Sequence, residues 1–169
     1  MNHTGTPLID EVGSLLEGGI TDVFDTMLGL NVHVLFPDEP CAEDEFYVAA
    51  SVGFVGNVNG IVYIYLTPEL ARMLAGRLLN IDESEAGDDE LVGDSVGELS
   101  NMIVGAVKSR LCDLGLACNL TIPSIVRGRG LNAGPVLSSE SLRLAIVCND
   151  HLIQVQLIML PTPFMLPTS

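Results

Sequence analysis

Two periods of hydrophobic and polar residues alternate along this chain, and the switches between them mark its elements. From Pro7 to Leu30, the residues Leu8, Val12, Leu15, Leu16, Val23, Met27 and Leu30 recur at helical spacing. Gly18-Gly19 interrupts the run, so the pattern predicts a helix broken there, with its firmer half starting at Thr21 and stopping at Gly29. Asn31 to Phe36 alternates as a short strand, which Pro37-Asp38-Glu39-Pro40 ends in an acidic, solvated loop. Glu45 to Phe54 and Gly60 to Leu66 are rich in Val, Ile, Tyr and Phe. The residues between them, Gly56-Asn57-Val58-Asn59-Gly60, tolerate positive φ, so this is a hairpin. Thr67 as N-cap and Pro68 at the first helical position then open a helix carrying Leu70, Met73, Leu74 and Leu78 on one face and ending at Asn80.

After an acidic linker, Ile81 to Gly87, comes the longest helical pattern, Asp88 to Leu116. With about 100° of rotation per residue, Val92, Val96, Leu99, Ile103, Ala106 and Val107 form a buried stripe. Asp94, Glu98, Asn101, Gly105 and Lys108 fall within about 80° of one another on the other side. Asp88 and Asp89 suit the positive end of this helix, and Lys108 and Arg110 its negative end. Leu116 to Ile122 reads as a strand ended by Pro123. Ile125 to Pro135, with its glycines, Arg127 and Arg129, reads as a mobile loop. Ser141 to Val147 and His151 to Leu160 form a last hairpin turning at Cys148-Asn149-Asp150. The predicted order is therefore helix, three strands, helix, then helix and three strands again.

Composition narrows the class. The 169 residues fit one domain, and 48% hydrophobic content supports a substantial core. With 22 acidic and 7 basic residues the formal charge is −15, which argues against nucleic acid as a partner, because binding phosphate backbones relies on clustered Lys and Arg. The N-terminus lacks the pattern of a secretory signal, and the apolar strands near the C-terminus are too short to span a bilayer, so a cytoplasmic protein is expected. Cys41, Cys112, Cys118 and Cys148 show no CxxC pairing and no nearby His, which reads as ordinary reduced thiols. The acidic linker lacks the ligand order of a calcium loop, and the Arg127 loop lacks phosphate-loop spacing. His3, His33 and His151 have no base or nucleophile beside them.

The chemistry left to explain is Glu98-x-x-Asn101. An i, i+3 pair aims a carboxylate and a carboxamide at one target. Asn is a poor helix former, and Gly97 and Gly105 each cost about 1 kcal/mol relative to Ala mid-helix, so helix stability does not select them. Small residues beside the pair allow another backbone to approach. On spacing alone, a plain solvated helix face is the better account of the pair.

Asp94-x-x-x-Glu98-x-x-Asn101, followed by Gly105 and later by Ile122-Pro123, resembles the motif of the CheC/CheX/FliY chemotaxis phosphatases. In that family Asp or Ser, three residues, Glu, two residues and Asn are followed downstream by Pro. VFDTMLGLNV is similar to the family's first helix and the entry to its first strand, and FVGNVNGIVYIYLTPELARMLA to its central hairpin and following helix, so the resemblance runs from about Thr21 to Met159. It implies an α/β (α+β) fold with pseudo-twofold symmetry. Two helix-plus-three-strand units would pack their helices on a mainly antiparallel sheet, in one domain over residues 1–169 with tails at 1–7 and 161–169.

The resemblance further implies a phosphatase acting on the aspartyl-phosphate of a CheY-like response-regulator receiver domain. Asn101 would orient the attacking water and Glu98 would pair with a receiver lysine, while Asp94, Gly105 and Pro123 support the docking face. Mg²⁺ would come with the receiver, and this chain would bind no cofactor or metal of its own. A homodimer formed through the sheets is expected. The family includes members with two sites, but no Asn lies between Asn2 and Asn31, so one site per chain is expected here. Receivers are often acidic as well, so long-range steering would not favour the encounter. Two other readings stand beside this one: a non-catalytic receiver- or motor-binding module using the same helix, and a structural dimerisation domain.

Overall fold

Each hairpin forms where its turn residues allow it. The computed structural model describes residues 7–38, 47–131 and 139–161. In it β2 (Val48–Gly56) and β3 (Asn59–Leu66) pair across Asn57-Val58, and β6 (Glu140–Cys148) and β7 (His151–Leu160) pair across Asn149-Asp150. Asn149 and Asp150 both take positive φ, 45° and 64°, the backbone of a tight hairpin whose twist matches that of its strands. The expected Glu45 start of the first hairpin, the loop beyond Asp38, Cys41 and the residues after Leu131 as far as 138 lie outside the described residues.

The strands join in one antiparallel sheet of order β1-β6-β7-β3-β2-β4, in which β1 is His33–Leu35 and β4 is Cys118–Leu120. A further strand, β5 (Ser124–Arg127), also pairs with β2. The expectation of a mobile loop from Ile125 is therefore corrected: Ser124 to Arg127 runs opposite Ser51 to Val48. Because β4 occupies the Phe54–Gly56 end of the same strand, β4 and β5 together form one edge interrupted at Thr121-Ile122-Pro123. The second unit thus has three strands, the first of them broken, and the sheet order reads the same from either end. Each unit lends its first strand to the other unit's hairpin.

Among the described residues, three helices cover one face. They are α1 (Leu8–Val23), α2 (Pro68–Leu79) and α3 (Asp89–Asp113). Alternate strand residues point at them: Val48, Ala50, Val52 and Phe54 from β2, Val62 and Ile64 from β3, Leu144 and Ile146 from β6, Ile153, Val155 and Leu157 from β7. On the opposite face Ala49 and Tyr65 are buried with Leu131 against them, and Tyr65 Oη donates to Gln156 Oε1 at 3.4 Å. Gln156 Nε2 in turn donates to Ser141 Oγ at 3.1 Å, so the buried amide is paired.

The helix ends follow local chemistry. Thr67 Oγ1 accepts from Leu70 N–H at 3.2 Å, and Asn80, at φ 54°, closes α2 in the left-handed region. Gly29 (φ 63°) and Gly115 (φ 80°) follow α1 and α3 in the same conformation. The expected break of α1 at Gly18-Gly19 does not occur. The helix runs through the pair and ends in a π-helical turn, Phe24–Leu28, because the glycines provide clearance where α3 crosses. A Cβ on Gly19 would lie 3.1 Å from the Ile103 carbonyl oxygen and 3.4 Å from the Ala106 Cβ, and one on Gly18 would lie 3.0 Å from the Arg110 guanidinium. Arg110 also pairs with Asp22 at 3.0 Å, but at 46% and 63% side-chain exposure this bridge contributes at most about 1 kcal/mol.

Packing at the α1/α3 crossing therefore outweighs helix propensity at Gly19. Gly19→Leu should lower the urea midpoint by the equivalent of about 1–3 kcal/mol, measured by equilibrium denaturation. A variant as stable as the native chain would show that the crossing tolerates a side chain.

Candidate functional site

The site is built on α3, whose start is fixed first. Asp88 caps it by accepting from Glu90 N–H at 3.1 Å, with Asp89 and Glu90 in the first turn. Arg127 of β5 donates to the Asp89 carbonyl and lies over Gly93, where a Cβ would come within 2.7 Å of the guanidinium. One turn later Gly97 faces the strand interruption, its Cβ position 3.5 Å from Pro123 Cβ and 3.8 Å from Ile125 Cδ1. Gly93 and Gly97 thus seat the helix against β5 from one side while Val96, Leu99, Ile103 and Val107 bury the other. Ala106, predicted in that buried stripe, is only half-buried.

This seating leaves Asp94 and Glu98 exposed and Asn101, Gly105 and Lys108 half-buried on the outer surface. Glu98 and Asn101 lie about 60° apart around the axis and about 4.5 Å along it. Among the described residues, no hydrogen bond or ion pair engages the side chains of Asp94, Glu98 or Asn101. The neighbouring serines behave otherwise: Ser95 and Ser100 are buried and donate to the Leu91 and Val96 carbonyls at 2.9 and 2.8 Å. The polar groups are satisfied where the helix packs and unengaged where the motif lies.

Of the residues predicted from sequence, Pro123 lies against Gly97, the residue before Glu98. Gly105 shares the same face one turn beyond Asn101, and a Cβ there would meet nothing within 4 Å. The strand exit beside them is rigidly held. Gly53 N–H donates to Thr121 Oγ1 at 2.8 Å and Thr121 N–H donates to the Gly53 carbonyl at 2.9 Å. Between this clamp and Pro123, Ile122 is 89% exposed. From the sequence Arg127 reads only as part of a mobile loop and Gly93 is not singled out, because a four-residue strand beyond a proline carries too little alternation to be read.

The outer face of α3 is convex. Two clefts, of about 600 and 500 Å³, lie elsewhere, lined by residues of α2 and the 81–85 linker, among them Arg77, Asn80, Asp82 and Glu83, with His151. A carboxylate and a carboxamide on a ridge suit a protein surface with its own concave site better than an enclosed small molecule. Among the described residues no three His, Cys, Asp or Glu side chains gather as a metal-ligand set. Among the described residues no helix is long and apolar enough to cross a membrane.

Comparison with known proteins decides the family. The model described as "Chemotaxis phosphatase CheX" matches residues 48–146, more than half of the chain and all of α3, β4 and β5. The chain belongs to the CheX family. The "CheY-P phosphatase CheX" of Thermotoga maritima is 27% identical over 81 residues, 47% of this chain; the matched stretch spans only 51% of that relative. Among solved structures, a chemotaxis protein CheX from Desulfovibrio desulfuricans is 24% identical with a TM-score of 0.74, covering 88% of this chain and 99% of its own. The CheX of a CheX–CheY–BeF3–Mg²⁺ complex from Borrelia burgdorferi is 23% identical with a TM-score of 0.71, covering 88% and 97%. At these identities the structures bear on the fold, which is the α+β arrangement that the sequence resemblance implied.

Two outcomes follow from the environment of individual side chains. Gly105→Ala should stabilise the chain by about 1 kcal/mol, because it removes a helix-interior glycine without a clash, measurable as a higher urea midpoint. Burial pushes the Cys118 thiol up, with Lys108 opposing and Cys112 adding, and burial likewise raises Cys148 against Arg77. A raised pKa lowers the thiolate fraction at a given pH, so at about pH 8 iodoacetamide should modify exposed Cys112 and spare Cys118 and Cys148 until denaturant is added. Equal labelling of the three, read by peptide mass spectrometry, would contradict this.

Proposed function

We propose that this chain is a phosphatase that hydrolyses the aspartyl-phosphate of a CheY-like receiver domain, with α3 as the catalytic helix. The observation that carries the reading is the unengaged Glu98/Asn101 pair on the outer face of α3, with Pro123 against the adjoining Gly97. Family membership and the "CheY-P phosphatase" relative support the substrate class. The CheX–CheY complex containing Mg²⁺ supports a receiver as partner and the metal as the receiver's own.

An acyl phosphate with a bound metal needs chiefly a placed water and charge stabilisation. Asn101 enters the receiver's site, its carbonyl accepting from the attacking water and its amide donating to a neighbouring group. No general base is required of it. Glu98 forms a charge-assisted contact with a receiver lysine, which fixes the register of the helix. Asp94, one turn earlier, supports the docking face. Gly105 leaves room for the receiver one turn later, and Pro123 holds the strand exit against Gly97.

The same reading takes the protein to act in the cytoplasm as a homodimer. Its support is the exposed apolar residues of the edge strands, Leu35 at 54% and Val126 at 53%, since uncovered edges invite pairing. Sedimentation at twice the chain mass is the expected result.

Decay of aspartyl-phosphate on receiver domains with Mg²⁺ present tests the reading. The native chain should accelerate it, Asn101→Ala should lose about a hundredfold or more, and Glu98→Ala should raise KM by weakening docking. Binding without acceleration would convert the chain to a non-catalytic receiver-binding module. Acceleration that survives Asn101→Ala would remove Asn101 from the mechanism.

A further inference from the structure

The first turns of α2 and α3 leave a gap between them where the paired ends of β2 and β5 run beneath. It is a cleft of about 140 Å³. Val48 from β2, Ala71 from α2 and Val92 from α3 form its floor, and all three are buried. Two guanidiniums border this apolar floor. Arg127 pairs with Val48 in the sheet, so its side chain leaves the same face, toward the helices, where it donates to the Asp89 carbonyl. Arg72 is folded back over the start of α2, its Nε donating to the Pro68 carbonyl at 3.4 Å. Each contact engages one donor of a group that carries five.

Charge makes the arrangement informative. The chain has 22 acidic residues and 7 basic ones, yet among the described residues no carboxylate pairs with Arg72 or Arg127. The salt bridge formed there joins Arg110 to Asp22. Asp89 is the acidic residue of the described lining, and it meets Arg127 through its backbone carbonyl. A guanidinium fork matches an oxyanion with two parallel N–H···O bonds, and two forks at one rim can share it. The floor adds a second requirement. Inorganic phosphate or sulfate would give up hydration over Val48, Ala71 and Val92 without a hydrogen bond in return, whereas a short hydrocarbon chain gains by leaving water there. At about 30 Å³ per water the cleft holds about five waters, so an acid of three or four carbons fills it and a nucleotide does not fit.

We infer that this cleft binds a short-chain monocarboxylic acid, with the carboxylate held by Arg72 and Arg127 and the carbon chain lying on Val48, Ala71 and Val92. The inference stands apart from the phosphatase reading, because the cleft ends about two and a half helical turns before Asn101. The negative charge of the chain opposes the ligand only weakly, since exposed charges are screened beyond about 8 Å at physiological salt and the two arginines act at contact distance. Arg127 also holds the first turn of α3 through Asp89, so the group that receives the ligand is one that seats this helix.

Two-dimensional NMR of the full chain, titrated at fixed ionic strength with acetate, propionate, butyrate, octanoate and inorganic phosphate, tests this. Butyrate should bind saturably and shift the amide signals of residues 47–48, 68–72, 87–92 and 127. Affinity should rise about fourfold per methylene from acetate to butyrate, and octanoate should gain nothing further because the cleft is full. Phosphate should bind at least about tenfold more weakly than butyrate. Arg72→Gln, a change to an exposed side chain, should weaken butyrate about tenfold, and Arg127→Lys should also weaken it by removing the fork while keeping the charge. An unchanged urea midpoint for Arg72→Gln separates loss of binding from loss of fold. Shifts that are scattered and do not saturate would mark an adventitious additive only and overturn the site. Affinity that ignores chain length or survives Arg72→Gln would overturn it as well, and phosphate binding more tightly than butyrate would overturn the assignment to a carboxylic acid.

Discussion

The crossing of α1 over α3 governs which side of α3 faces outward. A helix on a sheet keeps one rotational freedom that apolar burial constrains only loosely, and here a backbone contact removes it. With no side chain on Gly19, the Ile103 carbonyl and Ala106 come close enough that rotating α3 would drive larger neighbours into α1. Leu99, Ile103, Val107 and Leu111 then point inward at essentially no exposure, and Glu98 and Asn101 have only the outer face left. The placement of the polar pair follows from helix packing and needs no polar partner to hold it.

The second support comes from the sheet edge. Arg127 over Gly93 and Pro123 against Gly97 meet α3 on the side away from α1, so the helix is held between two rigid neighbours. The proposed catalytic group, Asn101, would on such a mount lose little conformational freedom on docking, which is what a reaction driven by positioning requires. The strong net negative charge of the chain does not attract an acidic receiver from a distance. On the proposed reading, affinity would have to come from short-range contacts on the outer face of α3 and its surroundings, where Ile122, next to Pro123, is exposed.

Much of this was legible in the sequence where local chemistry and packing agree. The Thr67-Pro68 start and Asn80 end of α2, the Asp88 cap of α3 and both hairpins stand where turn and cap residues placed them. The outward placement of Asp94, Glu98 and Asn101 followed from the helical period of the apolar stripe. The misreadings share one cause, contacts with elements distant in the sequence. Gly18-Gly19 read as a break because α3 is far away in sequence, and the glycines around Arg127 read as a loop because β5 is a strand only through its pairing with β2. What the pair does chemically was carried by resemblance, since exposure and spacing are shared with ordinary solvated helices.

The π-turn at Phe24–Leu28 has its own consequence for how two similar halves can diverge. One residue added inside an α-helix swings everything upstream by about 100°, which here would have turned Val12 and Leu16 out of the core. Widening a single turn confines the addition to five residues, and the upstream part of α1 keeps the phase it shares with α3. Length can therefore drift in one half of the molecule without the other half having to repack.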